Sequence, residues 1–214
     1  MESTPTPCLS ILLEQPAFFS IFYPFLSKGV QIPIAETLSI RDFLNGYLRL
    51  EPAYAENRIQ TIFLNGRAVD DLATAMLSGG DTLALSAAMP GLVGASFRRS
   101  GNYSVFRDNV SLHAGQSGKS RGAGMVTLKL FNLIVSEIGP RVLRQGVHVP
   151  PKLLPEILDA LDAASETAAE ARLDDRPVAL PEIRSRIPAN KTVVLRIQSG
   201  QESGALEACD PPPA

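Results

Sequence analysis

Cysteine and histidine are scarce in this chain. Of its 214 residues only Cys8 and Cys209 are cysteine, and only His113 and His148 are histidine. Two cysteines near opposite ends, with no CxxC pair and no Cys/His cluster, exclude a disulfide framework and a zinc site of ordinary spacing. Neither histidine has an acid or a nucleophile close by in sequence, so the expectation is no metal, no cofactor and no catalytic centre. An excess of either charge is also missing. Lys and Arg total 20 against 22 Asp and Glu, a net charge of −2, which argues against nucleic-acid binding by the protein as a whole. The most apolar window, Pro16 to Leu26, is far shorter than the roughly 20 residues of a bilayer span and is interrupted by Pro24. The opening MESTPTPCLS lacks the basic start and apolar core of a secretory signal. These absences lead to the expectation of a cytoplasmic protein with no membrane segment.

What is present is ordinary for a soluble globular chain: 45% hydrophobic and 20% charged residues. The length suits one large domain or two small ones. The first half reads as a strand CLSILLE, an aromatic connection, a strand KGVQIPIAETL and a helix. Thr37 or Ser39 can cap that helix, and Ile40, Phe43, Leu44 and Tyr47 share one of its faces. Ile62 and Leu64 lie in a β-rich run that stops at Asn65-Gly66, a dipeptide suited to a tight turn of positive φ. Gly79-Gly80-Asp81 makes a second turn before the alternating run TLALSAAM. The order is β-β-α-β-β.

This order, with its Asn-Gly and Gly-Asp turns, resembles the sulfur carriers of molybdopterin and thiamine biosynthesis, which are ubiquitin-like β-grasp proteins. The resemblance covers residues 8–94 and implies one helix lying across a mixed sheet. The carriers end at Gly-Gly, whereas here the chain reads Met89-Pro90-Gly91-Leu92-Val93-Gly94 and continues. Carriage would therefore require proteolytic exposure of a glycine carboxylate at Gly91 or Gly94.

The second half repeats the pattern. QGVHVP matches KGVQIP, pairing Gly29 with Gly146, Val30 with Val147, Ile32 with Val149 and Pro33 with Pro150 at one offset. Arg67 and Val69 match Arg176 and Val178, and Thr82, Leu83 and Leu85 match Thr192, Val193 and Leu195. IVSEIGPRVL reads as a short helix or an irregular connection, LLPEILDALDAA as a helix, and the acidic stretch Glu166 to Asp175 as the solvated end of a helix with its turn. His148, the counterpart of Gln31, takes an exposed strand position. The expected architecture is α+β, with two tandem β-grasp domains at 8–94 and 125–198, a basic Gly/Ser linker at 95–124 and a disordered tail at 199–214.

The linker carries Arg98, Arg99, Arg107, Lys119 and Arg121, interleaved with Phe97, Tyr103 and Phe106. Such a segment can meet an anion, an acidic protein face or RNA. Its Gly115-Gln-Ser-Gly-Lys-Ser120 run has His113 where a phosphate loop needs its first glycine, and a strand follows in place of a helix, so it is read as linker. The aromatic run around Phe19 and Phe22 offers core packing or a hydrophobic docking surface for a protein partner or a homo-dimer. The function read from these features is a non-catalytic, ubiquitin-like binding or adaptor protein. A cleaved sulfur carrier, and RNA or anion binding through the linker, stand as alternatives.

Overall fold

The computed structural model describes residues 6–87, 122–164, 168–188 and 190–200. In chain order, β1 (Cys8–Leu13) is followed by a 3-10 turn (Pro16–Phe22), α1 (Tyr23–Lys28), β2 (Val30–Ile34) and β3 (Leu38–Ser39). Next come α2 (Ile40–Asp42) with a π-type turn (Phe43–Tyr47), α3 (Pro52–Asn57), β4 (Thr61–Leu64), β5 (Arg67–Ala68), β6 (Met76–Leu77) and β7 (Thr82–Ser86). The later elements are β8 (Gly124–Phe131), α4 (Leu133–Gln145), β9 (Val147–Val149) and α5 (Leu154–Ala163). They end with β10 (Ala168–Leu173), β11 (Arg176–Pro177), α6 (Leu180–Arg186) and β12 (Val193–Ser199). The protein is mixed α+β, and it divides into two compact units.

One unit is formed by the described residues of 26–138. Its sheet runs β2-β8-β7-β4-β5, with β7 and β8 parallel at the centre and antiparallel neighbours on either side. Period-2 patterning explains its core: Val30, Ile32, Ile34, Ile62, Leu64, Leu83, Leu85, Val126, Leu128 and Leu130 are all buried. Ser39 caps α2, its Oγ accepting from the Asp42 N–H at 3.0 Å, and Ile40, Phe43 and Leu44 bury the helical face. Asn65 and Gly66 both take positive φ (52° and 79°), the geometry of a two-residue hairpin turn between β4 and β5. Asn65 also joins this turn to the second one. Its Nδ2 donates to Asp81 at 2.8 Å and its Oδ1 accepts from the Thr82 N–H at 2.9 Å. A side chain at Gly79 would put its Cβ 2.7 Å from the Ala123 carbonyl oxygen, so this turn admits only glycine.

The other unit is discontinuous and is formed by 6–25 with the described residues of 139–200. Its sheet runs β9-β12-β1-β10-β11, again with a parallel central pair, here β1 and β12. Leu154, Ile157, Leu158 and Leu161 of α5 and Ile183 of α6 are buried, and Arg184 of α6 pairs with Asp159 and Asp162 of α5. The β10–β11 hairpin turns on Asp174 and Asp175, both at positive φ (50° and 63°). It repeats the first hairpin bond for bond. The Val178 N–H donates to the Ala171 carbonyl at 3.0 Å where the Val69 N–H donates to the Ile62 carbonyl at 2.9 Å. Thus β1, from the start of the chain, is sheeted with strands of the second half, and β8 with strands of the first.

Three expectations are corrected, and one left open is decided. From Ala168 to Asp175 the acidic stretch is strand β10 and its turn, because Ala168, Glu170 and Arg172 alternate with the buried Ala171 against β1, while Glu166 and Thr167 lie outside the described residues. Of the two readings of IVSEIGPRVL the helix holds: the segment lies within the 13-residue helix α4, which carries Pro140 in its interior. His148 is buried at 8% exposure. Cys8 is disulfide-bonded, although the cysteine count gave no sign of a structural bridge.

Candidate docking surface

The site candidates named from sequence fall into two groups. Arg98, Arg99, Arg107, Lys119, Arg121, Gly91 and Gly94 lie outside the described residues, as do nearly all of the linker and tail assignments. Phe19 and Phe22 are described, and both are buried, at 0% and 1% exposure. Phe19 carries the Arg144 guanidinium 4.9 Å above its ring, a contact that holds the 3-10 turn to the end of α4 within the discontinuous unit. Burial removes these two rings from any outward surface. Their neighbour Tyr23 is half-buried, and that burial raises its phenol above the ordinary value despite the lowering influence of Arg144.

A different surface is open on the unit of 26–138. On the strand faces that point away from the core, Gln31 and Pro33 on β2, Phe63 on β4, Thr82 and Ala84 on β7, and Met125, Thr127 and Lys129 on β8 are half-buried, while Thr61, Ala68 and Ser86 on the same face are buried. Cross-strand register lines them up, with Gln31 and Thr82 flanking Thr127, Pro33 beside Met125, and Ala84 between Phe63 and Lys129. Phe131, at 37% exposure, ends β8 on the same face, and Leu133 beyond it is 57% exposed. These two are the exposed large hydrophobic side chains among the described residues.

Local structure fixes this surface. A Cβ on Gly29 would lie 2.8 Å from the Thr127 methyl and 3.2 Å from Lys129 Cε, so the missing side chain lets the lysine stem lie across the backbone ahead of β2. Asn132, at φ 52°, turns the chain from β8 into α4, and its Nδ2 donates to Ser86 Oγ at 2.8 Å. One helical turn beyond Leu133 stands Glu137, which accepts from Tyr54 Oη at 2.7 Å and forms a two-point ion pair with the Arg58 guanidinium. Arg58 first, and the tyrosine second, hold the Glu137 carboxyl below the usual glutamate range. The surface is therefore an apolar strip of Phe63, Met125, Phe131 and Leu133, with Lys129 inside it and an ion-paired border along α3 and α4.

A second concavity in this unit, about 210 Å³, is lined by Arg41, Asn45, Glu56, Asp70 and Asp71 among others. Asn45 Oδ1 is buried there without a donor. The Asp71 carboxyl is lowered by the backbone N–H of Ala73 and the side chain of Thr74, which uses it as a local cap. Pro52, Ala55 and Leu72 complete the lining between these exposed charges.

The sequence held a signal for the strip. MVTLKLF alternates Val126, Leu128 and Leu130 with Met125, Thr127, Lys129 and Phe131, and the second set is too apolar for a fully solvated strand face. Comparison of the chain with models of known protein families, with curated proteins and with solved structures finds no match.

Proposed function

We propose that both units are β-grasp folds and that the protein is a non-catalytic, ubiquitin-like binding protein which takes a protein partner on the outward sheet face of residues 26–138. The observation that carries the binding reading is the apolar strip from Phe63 through Phe131 to Leu133, exposed at its end on a sheet whose other face is fully buried. A strip of this make-up fits a partner surface that is apolar at its centre, with an acidic group to meet Lys129. The β-grasp reading is supported by two sheets of one layout, each with a parallel central pair and a turn-linked short edge strand. It is supported further by the matched hairpins at Asn65-Gly66 and Asp174-Asp175.

Two substitutions test it. Phe131→Asp and Leu133→Asp remove exposed apolar area and leave the buried face untouched, so the melting temperature should stay within about 2 °C of wild type. In quantitative pull-downs from the native host, a protein retained by wild type should fall at least about tenfold with either variant, as expected for loss of a central apolar anchor. Identical retained proteins for wild type and both variants would refute docking at this face.

A further inference from the structure

The 210 Å³ concavity of the unit of 26–138 collects side chains from three segments. Arg41 comes from α2 and Asn45 from the π-type turn that continues it, Glu56 from α3, and Asp71 from the loop after β5. Backbone bonds fix these segments to one another. The Arg41 N–H donates to the Leu72 carbonyl at 2.9 Å, and the Ile40 N–H donates to the Ala75 carbonyl at 3.0 Å. The π-type turn closes with the Leu48 N–H donating to the Phe43 carbonyl at 3.1 Å. Such wide turns are rare and recur at functional positions, and this one carries Asn45.

Three of these groups are unused by the fold. Asn45 is half-buried, and its Oδ1 is sealed from solvent and meets no donor. A buried acceptor in that state costs stability until a donor reaches it. Arg41 and Glu56 are exposed, and among the described residues neither forms an ion pair. Asp71 is different, since its carboxylate already accepts from the Ala73 N–H at 2.8 Å and from the Thr74 side chain. The cavity therefore offers a planar cation, an anion and a buried acceptor, with Pro52, Ala55 and Leu72 as its apolar wall. Glu56, Asp70 and Asp71 outnumber the single guanidinium, so the cavity disfavours a simple anion and favours a ligand that carries a cation. Its volume is below the roughly 300–1,000 Å³ of sites for drug-sized ligands, so the ligand is small.

We propose that this cavity binds a small zwitterion, an α-amino acid with an aliphatic side chain. Its ammonium donates to Asn45 Oδ1 and pairs with Glu56, and its carboxylate accepts from the Arg41 guanidinium. The aliphatic part lies against Pro52, Ala55 and Leu72. A guanidinium presents parallel donors that match a carboxylate, and an ammonium has three donors, enough for an amide oxygen and a carboxylate together. An alkylammonium alone leaves Arg41 unused and adds a like charge beside it. A carboxylate alone leaves Asn45 Oδ1 unpaired and adds a like charge near Glu56. None of the lining residues belongs to the strip of Phe63, Met125, Phe131 and Leu133, so occupancy here requires no partner at the strip.

Amide NMR titration of the full-length chain with L-valine as the probe tests the proposal. Saturable shifts centred on Arg41, Asn45, Glu56 and Leu72 are expected, with a Kd at or below about 1 mM. Isobutylamine lacks the carboxylate and isovalerate lacks the ammonium, so each should bind at least about tenfold more weakly, the loss of one charge-assisted contact. Arg41→Gln should weaken L-valine by about tenfold and leave isobutylamine no weaker, whereas Glu56→Gln should weaken both. Both side chains are exposed, so these variants should keep the melting temperature within about 2 °C of wild type. Asn45→Leu, which removes the unpaired acceptor, should bind L-valine at least about tenfold more weakly. No saturable shift up to about 10 mM L-valine would overturn the proposal. So would equal binding of isobutylamine and L-valine, or L-valine binding indifferent to Arg41→Gln and Glu56→Gln.

Discussion

His148 shows how much a single residue's position can decide. As the counterpart of Gln31 it sits on a strand, but Gln31 is half-buried whereas His148 is 8% exposed. Burial lowers its pKa from the ordinary value, since desolvation disfavours the imidazolium. A folded-state pKa below the unfolded one means that the unfolded chain takes up the proton first as pH falls. The stability tied to neutral His148 is therefore complete above the unfolded value of about 6.5, and it declines as pH drops toward the folded value. Urea unfolding at pH 7.5 and 5.5 should show wild type losing stability by up to about 1.4 kcal/mol per pH unit from this group. His148→Gln should remove that part of the slope, and an unchanged slope would mean that the imidazole is solvated. No residue count revealed this burial, because the alternation of QGVHVP matches a half-exposed strand as well as a closed one.

At the scale of elements, the legible parts were those with local chemistry. The Asn65-Gly66 turn, the Ser39 cap and strands β4, β7 and β8 follow from turn residues and period-2 patterning within a few positions of themselves. The less legible parts depend on distant partners. β10 reads as a helix end from its alanines and acids, and it becomes a strand because β1 pairs with Leu9 through Leu13 along it. The paired hairpins supply a graded prediction. Asp175 holds φ 63° in the second turn, so Gly66→Asp should cost only about 1 kcal/mol at the equivalent φ of 79°. Gly66→Val, β-branched at the same φ, should cost on the order of 2–3 kcal/mol in thermal or denaturant unfolding. Space is not the constraint, since nothing lies within 4 Å of a Cβ placed on Gly66. Equal losses for the two variants would remove backbone strain as the cause.

At the scale of the molecule, the α+β class was visible in the sequence, but the membership of β1 and β8 was not. Pairing of Cys8 with Val194 spans almost the whole chain, and no window of sequence carries that information. Residues 26–138 hold every strand of their own sheet, so this stretch expressed alone should fold cooperatively, with dispersed amide NMR signals and a single unfolding transition. Collapse of the isolated stretch to an undispersed spectrum would show that it depends on the remainder of the protein. The same arrangement has a consequence during synthesis. Strand β1 leaves the ribosome ahead of the other described strands, yet both of its sheet neighbours, β10 and β12, are made only after every strand of residues 26–138. At about 5–20 residues per second, an apolar strand with two unpaired edges waits on the order of 10–40 s for its partners, while the contiguous unit can close around β8 well before. For this chain, nascent β1 is the segment a chaperone has most reason to hold.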